Sequence, residues 1–281
     1  MVGRWSTRIA AALAATMCTA LPAPAQTTGT TTSGLYYEVS GSGEPVVFIH
    51  AFSLDRRMWA PQMAAFENRY RVVRYDLRGH GRSVAPAEPY TGYGDLLALL
   101  DTLGIERATL VGLSAGAQLA IDFAIVHPDR VTRLVLAAPG LGGFRTPQLP
   151  WMAPVLEAAV GGDADGAARS WAETPLMALH TATDAQATVT SLVMDNARLW
   201  TSRRTEQLLS PPAAGRLAEI GAPTLVLIGD RDLPHIHEVV RLLADGITGA
   251  TVDTIAGAGH LINLDTPQSF NEAVAAFLER R

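Results

Sequence analysis

Gly112-Leu113-Ser114-Ala115-Gly116 follows the apolar, β-leaning run Ala108-Thr109-Leu110-Val111. It precedes Ala117-Gln118-Leu119-Ala120-Ile121-Asp122-Phe123-Ala124, a helical pattern of small and apolar residues. Strand, sharp turn and helix form the context in which G-x-S-x-G lifts a serine Oγ clear of a sheet as a nucleophile elbow. Glycines two residues to either side let the strand and helix pass closer than larger side chains permit. The pentapeptide alone also arises by chance in Gly- and Ser-rich chains, so its weight comes from two later stretches. Leu225-Val226-Leu227-Ile228-Gly229-Asp230-Arg231-Asp232 is a buried-strand pattern ending in acids. Gly257-Ala258-Gly259-His260 is a loop histidine after the strand-like run 250–255. The chain order is therefore serine, acid, histidine.

Outward from this stretch, strand-like runs fall at 35–39, 46–50, 70–75, 109–113, 134–137, 224–229 and 250–255, with helical patterns such as 93–103 and 117–126 between them. Strands alternating with helices predict an α/β fold with a mostly parallel central sheet and helices on both faces. The continuous apolar run Val46-Val47-Phe48-Ile49 suits an interior strand of such a sheet. The alternation breaks between Gly140 and about Pro212. There Trp151, Met152, Trp171, Met177, Met194 and Trp200 lie among Ala- and Leu-rich helical segments, which predicts an inserted helical cap. The expected organisation is a core of residues 35–140 and 213–281, a cap at 141–212, and a Thr/Gly-rich flexible leader at 26–34. Residues 267–278 are expected to form an amphipathic helix packed on the sheet.

The first 25 residues read as an export signal. Arg4 and Arg8 precede an apolar, Ala-rich run from Ile9 to Leu21, and Ala23-Pro24-Ala25 fits the small-residue cleavage rule. A mature start near Gln26 and a periplasmic or secreted location follow as expectations. The run is short for a bilayer span, so no stable membrane insertion is expected after cleavage. Cys18, the single cysteine, lies in this segment, which leaves the mature chain without a thiol or disulfide. Its 281 residues, 48% hydrophobic and 17% charged, suit one large globular domain.

Every basic residue except histidine is arginine. Having no lysine excludes Schiff-base, P-loop-lysine and Ser-Lys chemistry. Loss of Arg4 and Arg8 takes the 22 basic residues to 20 against 27 acidic ones, a formal charge of −7, which disfavours nucleic acid and anionic membrane as partners. The arginines from Arg69 to Arg82 read as a solvated or salt-bridged face.

The elbow, Tyr37-Glu38-Val39-Ser40-Gly41-Ser42-Gly43, Phe48-Ile49-His50-Ala51-Phe52, Tyr75-Asp76-Leu77-Arg78-Gly79-His80-Gly81-Arg82-Ser83 and Gly257-Ala258-Gly259-His260-Leu261-Ile262-Asn263-Leu264-Asp265-Thr266-Pro267 together resemble the α/β-hydrolase superfamily. The likeness runs from about Leu35 to the C-terminus. It is greatest to the group of 3-oxoadipate enol-lactonases, esterases and non-haem haloperoxidases. It implies a serine hydrolase with Ser114 as nucleophile, His260 as general base and then acid, and Asp232 orienting the imidazole. Asp230 is a rival acid, but the family's acid usually stands three residues after the glycine, which selects Asp232. The resemblance also implies an oxyanion hole from the backbone N–H groups of Phe52 and Ala115. Many relatives carry His-Gly where this chain has His50-Ala51, and alanine is costly there if the backbone needs a positive φ. His50, His80 and His127 read as buried hydrogen-bonding residues.

A serine at the elbow, where related dehalogenases and epoxide hydrolases carry aspartate, points to acyl-enzyme chemistry on a small-molecule carboxylic ester or lactone without a cofactor. Perhydrolysis or carbon–carbon hydrolysis on the same triad, and a slow-turnover ligand receptor on the same fold, are the alternatives. Asp230, Asp232, His235 and His237 crowd eight positions, but Pro234 reads as a turn that need not converge their side chains, so no metal site is expected.

Overall fold

The computed structural model describes residues 26–203 and 205–280. The expected export signal at 1–25, with Cys18, lies outside the described residues. Eight strands form one sheet: β1 (Thr27–Thr30), β2 (Tyr36–Ser40), β3 (Pro45–Ile49), β4 (Arg71–Tyr75), β5 (Ala108–Leu113), β6 (Val131–Ala137), β7 (Thr224–Gly229) and β8 (Thr251–Ile255). Their spatial order is β1-β2-β4-β3-β5-β6-β7-β8. The pairs β1/β2 and β2/β4 are antiparallel and the rest are parallel. All six residues of β5 and of β7 are buried, because helices cover both faces of the parallel part. At the edge, β8 exposes four of its five residues.

From β3 the chain passes through α1 (Ala60–Phe66) to β4 on one side, then through α2 (Gly92–Thr102) to β5 on the other. Right-handed crossovers in opposite directions put the intervening helices on opposite faces. Thus α2 packs on α3 (Ala115–Val126), while α1 packs on α9 (Pro267–Leu278). The direction reverses between β3 and β5, and a crevice opens outside the carboxyl ends of strands at such a switch point. Both elbow glycines sit there. A Cβ on Gly112 would stand 2.3 Å from the Gly116 carbonyl oxygen, and one on Gly116 would stand 2.1 Å from that of Ile49.

Two expectations are corrected. The tract expected as a flexible leader forms β1, which pairs Thr27 with Val39 through Thr30 with Tyr36. Its β-branched threonines suit a strand, and the Thr31 hydroxyl accepts from the Leu35 N–H at 3.0 Å to close the turn into β2. Pro234, read as a turn, opens α7 (Pro234–Gly246). At a helix's first position proline loses no hydrogen bond, and its fixed φ suits the helix.

Between β6 and β7 the chain makes α4 (Ala153–Val160), α5 (Ala164–Ala172) and α6 (Gln186–Asp195), and no strand of the sheet among the described residues. These helices pack on one another, and α6 docks on the turn after β3. The buried Asn196 donates to Asp55 Oδ2 at 3.0 Å and to the Leu192 carbonyl at 2.9 Å, and accepts from the Gly81 N–H at 2.7 Å. Trp171 Nε1 donates to Ser53 Oγ at 2.7 Å. No helix among the described residues is long and apolar enough to cross a membrane.

The arginines between Arg69 and Arg82 are largely ion-paired. Arg74 meets Glu38 at 2.6 Å, Arg78 Nε meets Asp95 at 2.7 Å, and Arg69 meets Glu279 at 2.5 Å. Glu38 also holds Arg56 at 2.7 Å, and Arg56 holds the fully buried Asp76 at 2.9 Å.

Gly116→Ala is expected to cost about 1–3 kcal/mol or more, because the added methyl meets backbone that cannot give way. Gly215→Ala, where a Cβ meets nothing within 4 Å, is expected to stay within about 0.5 kcal/mol. Urea-unfolding midpoints of the two variants test the contrast.

Candidate active site

Close passage of β5 and α3 forces the residue between them into an unusual backbone conformation. Ser114 has φ 56° and ψ −112°. Among the described residues, non-glycine positive φ occurs only at Ser53 (65°), Ser114 (56°) and Ala138 (41°), which follow β3, β5 and β6. Backbone strain is thus concentrated at the carboxyl edge of the sheet, where functional sites commonly store it. Ala51 is not among these residues. The left-handed turn of its loop falls on Ser53, so alanine is tolerated at the position where relatives carry glycine. The Ala51 N–H lies 3.4 Å from Met58 Sδ.

Ser114 precedes α3, whose Gln118 N–H bonds back to the Ser114 carbonyl at 3.0 Å. The N–H groups of the first turn, Ala115 included, have no acceptor within the helix and carry the positive end of its dipole. Two strands along, Asp232 follows β7, and His260 follows β8 in the loop before α8 (Ile262–Asp265). His260 Nδ1 donates to Asp232 Oδ2 at 3.0 Å, with Oδ1 at 3.2 Å. A carboxylate only accepts, so the proton sits on Nδ1 and Nε2 keeps its lone pair. Both residues are buried, at 3% and 8% exposure. Asp230, the rival acid, is exposed and accepts instead from the Gly257 N–H at 2.8 Å.

Other histidines serve the framework. His50 Nδ1 donates to the Ala51 carbonyl at 2.8 Å and its Nε2 accepts from the Leu77 N–H at 2.9 Å, a fully satisfied neutral ring. His80 Nδ1 donates to the Arg78 carbonyl at 3.1 Å. Burial first, and the neighbouring His50 second, push the His80 pKa down to about 3.

Four groups to which the sequence reading assigned no role also belong to the site. Asp265 Oδ1 accepts from the N–H groups of His180 at 2.9 Å, Thr181 at 2.6 Å and Ala182 at 3.2 Å, while Oδ2 accepts from Gly259 at 2.8 Å. It ties the helical insertion to the loop that carries His260. Burial alone would raise its pKa, but the four backbone bonds, led by Gly259, outweigh burial and hold it below the usual range. Asn196 is the second such tie. The third and fourth are Asp122 and Glu206, which line a cavity of about 340 Å³ together with Phe52 and Ala115. Asp122 was detectable in principle as a lone acid in an apolar helix. Glu206 and Asn196 carried no sequence signal.

Residues 46–273 match the alpha/beta hydrolase family, and the chain belongs to it. It is 30% identical over 271 residues to a putative carbamate hydrolase RutD of Caulobacter sp. (strain K31), covering 88% of this chain and 97% of that protein. It is 30% identical over 243 residues to 3-oxoadipate enol-lactonase 2 of Acinetobacter baylyi, covering 84% and 88%. The enol-lactonase structure from Burkholderia xenovorans LB400 superposes with a TM-score of 0.74 at 28% identity, over 90% of this chain and all of that one.

Asp265→Ala strands four N–H groups and is expected to cost at least about 2 kcal/mol of stability. It should also lower kcat more than it raises KM, because the His260 loop loses its tether. Denaturation and steady-state kinetics measure both. The Asp122 pKa is pushed up to about 7 from 3.8, by burial first and by Glu206 second. Below pH 3.8 folded and unfolded chains both hold its proton. Between 3.8 and 7 the unfolded chain releases it first and stability falls, and above 7 the penalty is constant. Asp122→Asn is therefore expected to gain on the order of 2 kcal/mol more, relative to wild type, at pH 8 than at pH 5. Paired melts at the two pH values read the difference.

Proposed function

We propose that the protein is a serine hydrolase that cleaves a small or medium carboxylic ester or lactone through an acyl-enzyme on Ser114. Two observations carry this reading: the left-handed Ser114 at the head of α3, after β5, and the buried His260–Asp232 pair in the loops after β8 and β7 of the same sheet. Membership of the family supports it. So do the names of the similar proteins, a carbamate hydrolase and an enol-lactonase, both of which imply attack at a carbonyl carbon.

In this mechanism Ser114 Oγ attacks the carbonyl carbon while His260 Nε2 takes its proton. Asp232 holds the imidazole in the correct tautomer and stabilises the imidazolium. The carbonyl oxygen becomes an oxyanion, received by the backbone N–H groups of Ala115 and Phe52 with the α3 dipole behind Ala115. Collapse of the tetrahedral intermediate breaks the bond to the alkoxide oxygen, which leaves with the proton from His260. Water, deprotonated by the same Nε2, then attacks the acyl-serine, and a second tetrahedral intermediate releases the acid and regenerates Ser114.

The test is turnover of p-nitrophenyl esters from acetate to octanoate by wild type and Ser114→Ala. The expected result is an initial burst in the wild type and a loss of kcat on the order of 10⁴-fold or more in the variant, with an unchanged melting curve. Esterase activity retained by a folded Ser114→Ala protein overturns the reading.

A further inference from the structure

Phe52, whose N–H faces the oxyanion opposite Ala115, sits in a β-turn that runs from Ala51 to Leu54 and is closed by the Leu54 N–H on the Ala51 carbonyl at 3.3 Å. A trans peptide sets its carbonyl and its N–H antiparallel in one plane, so whatever holds the Ala51 carbonyl also aims the Phe52 N–H. His50 Nδ1 holds that carbonyl at 2.8 Å. Ser53, third in the turn, has φ 65°. A turn with positive φ at this position normally takes glycine or asparagine there, and a serine stays only where its surroundings hold it. With Ser53 at negative φ the turn still closes, as a type I turn does, but the peptide after Phe52 swings over and Phe52 moves with it.

The group that holds Ser53 comes from the helical insertion. Trp171, near the end of α5 and buried, donates from Nε1 to Oγ of the fully buried Ser53 at 2.7 Å. An indole N–H only donates, and the distance is that of a well-made hydrogen bond. The same indole meets the Phe52 ring edge-on, with centroids 6.1 Å apart. Trp200 at 5.2 Å and His80 at 6.0 Å meet the Phe52 ring near perpendicular as well, and Trp171 stands 5.3 Å from Trp200. Perpendicular aromatic contacts at such distances are favourable. Phe52 is therefore gripped by its ring, while Ser53 beside it is gripped by its hydroxyl. Trp171 makes both contacts, from 118 residues further along the chain than Ser53.

We propose that Trp171 is a positioning residue for the oxyanion hole: through Ser53 it holds the turn that presents the Phe52 N–H, so the hole is complete only while the insertion is docked. This deepens the serine-hydrolase reading and rests on it. An oxyanion donor acts at about 2.7–3.1 Å from the developing charge, and a displacement of about 1 Å costs on the order of a hundredfold in rate. Trp171 touches no reacting atom in this role. Its effect falls on the transition state, where the carbonyl oxygen carries charge, and not on the binding of the neutral ester. Docking of the insertion and catalytic competence are thereby coupled through one hydrogen bond.

The experiment measures kcat and KM for p-nitrophenyl butyrate on the full chain, in wild type, Trp171→Phe, Ser53→Ala, their double variant and Trp151→Phe. Trp171→Phe keeps an aromatic ring and loses the N–H, and Ser53→Ala removes its acceptor. Trp151 packs on Trp171 with centroids 6.3 Å apart and stands outside the Ser53 bond, so it controls for general loosening of the insertion. Each single substitution in the bond is expected to lower kcat about tenfold or more, with KM changed less than about twofold. The double variant should lose no more than about twofold beyond the worse single one, because both substitutions break the same bond. Trp151→Phe should keep kcat within about twofold of wild type. Ser53→Gly takes positive φ without strain, so it decides where another variant fails to fold: kcat falls as in Ser53→Ala if the bond positions the donor, and is kept if an unstrained turn suffices. A smaller loss of kcat, a rise in KM that accounts for the loss, losses that multiply in the double variant, or an equal loss in Trp151→Phe overturns the positioning role and leaves the hydrolase reading standing. If wild type turns over no ester, the rate at which a neutral fluorophosphonate labels Ser114 replaces kcat in the same comparison, since its phosphoryl oxygen gains charge in the same place. A wild-type Ser114 that resists this reagent as well overturns the hydrolase reading and the positioning role with it.

Discussion

The contact of Gly116 with the backbone at the end of β3 is the constraint on which the rest depends. With no side chain on Gly112 or Gly116, α3 starts hard against the Ile49 and His50 carbonyls at the end of β3, and its own Gly116 carbonyl passes close over Gly112 of β5. The chain can turn from β5 into α3 within one residue only by putting Ser114 at positive φ. One close approach therefore exposes the serine, aims the first-turn N–H groups of α3 into the crevice, and brings the loop after β3 alongside. The fully buried β5 and β7 strands, with β3 buried from Val46 to Ile49, supply the rigid floor that makes this strain affordable.

The walls of the crevice come from elsewhere in the chain, and they are fastened by buried polar groups more than by hydrophobic contact alone. Asn196 links α6 to the loops after β3 and β4, and Asp265 links the segment after α5 to the His260 loop. Each is a small, fully committed network, the kind that fixes one arrangement because any displacement leaves several buried groups unpaired. Aromatic packing of Phe52 against Trp171 and Trp200, at centroid distances of 6.1 and 5.2 Å, fills the space between them.

Electrostatically the molecule divides in two. Around β2 and β4, arginines and acids are matched: Glu38, Arg56, Arg74 and Asp76 share short ion pairs. Beside α3, burial first and Glu206 second push the Asp122 pKa up to about 7.

Local pattern determined much of this protein. Strand-like runs located seven of the eight strands, and those of β3, β5 and β7 were nearly continuous in apolar residues because a strand covered on both faces has no polar side to show. Glycine spacing around Ser114 announced the elbow, and a loop after the last strand-like run, with the resemblance to the α/β-hydrolases, nominated His260. Only the tertiary structure decided the rest. β1 exists because β2 offers an open edge to the 27–30 tract, which composition alone made look flexible. Asp232 rather than Asp230 meets His260 because the turn after β7 aims one acid inward and ties the other to Gly257. Asp122 faces Glu206, 84 residues away in sequence, and Asp265 gathers four N–H groups from two segments. Such pairings depend on where distant loops come together, and local propensity carries no information about that.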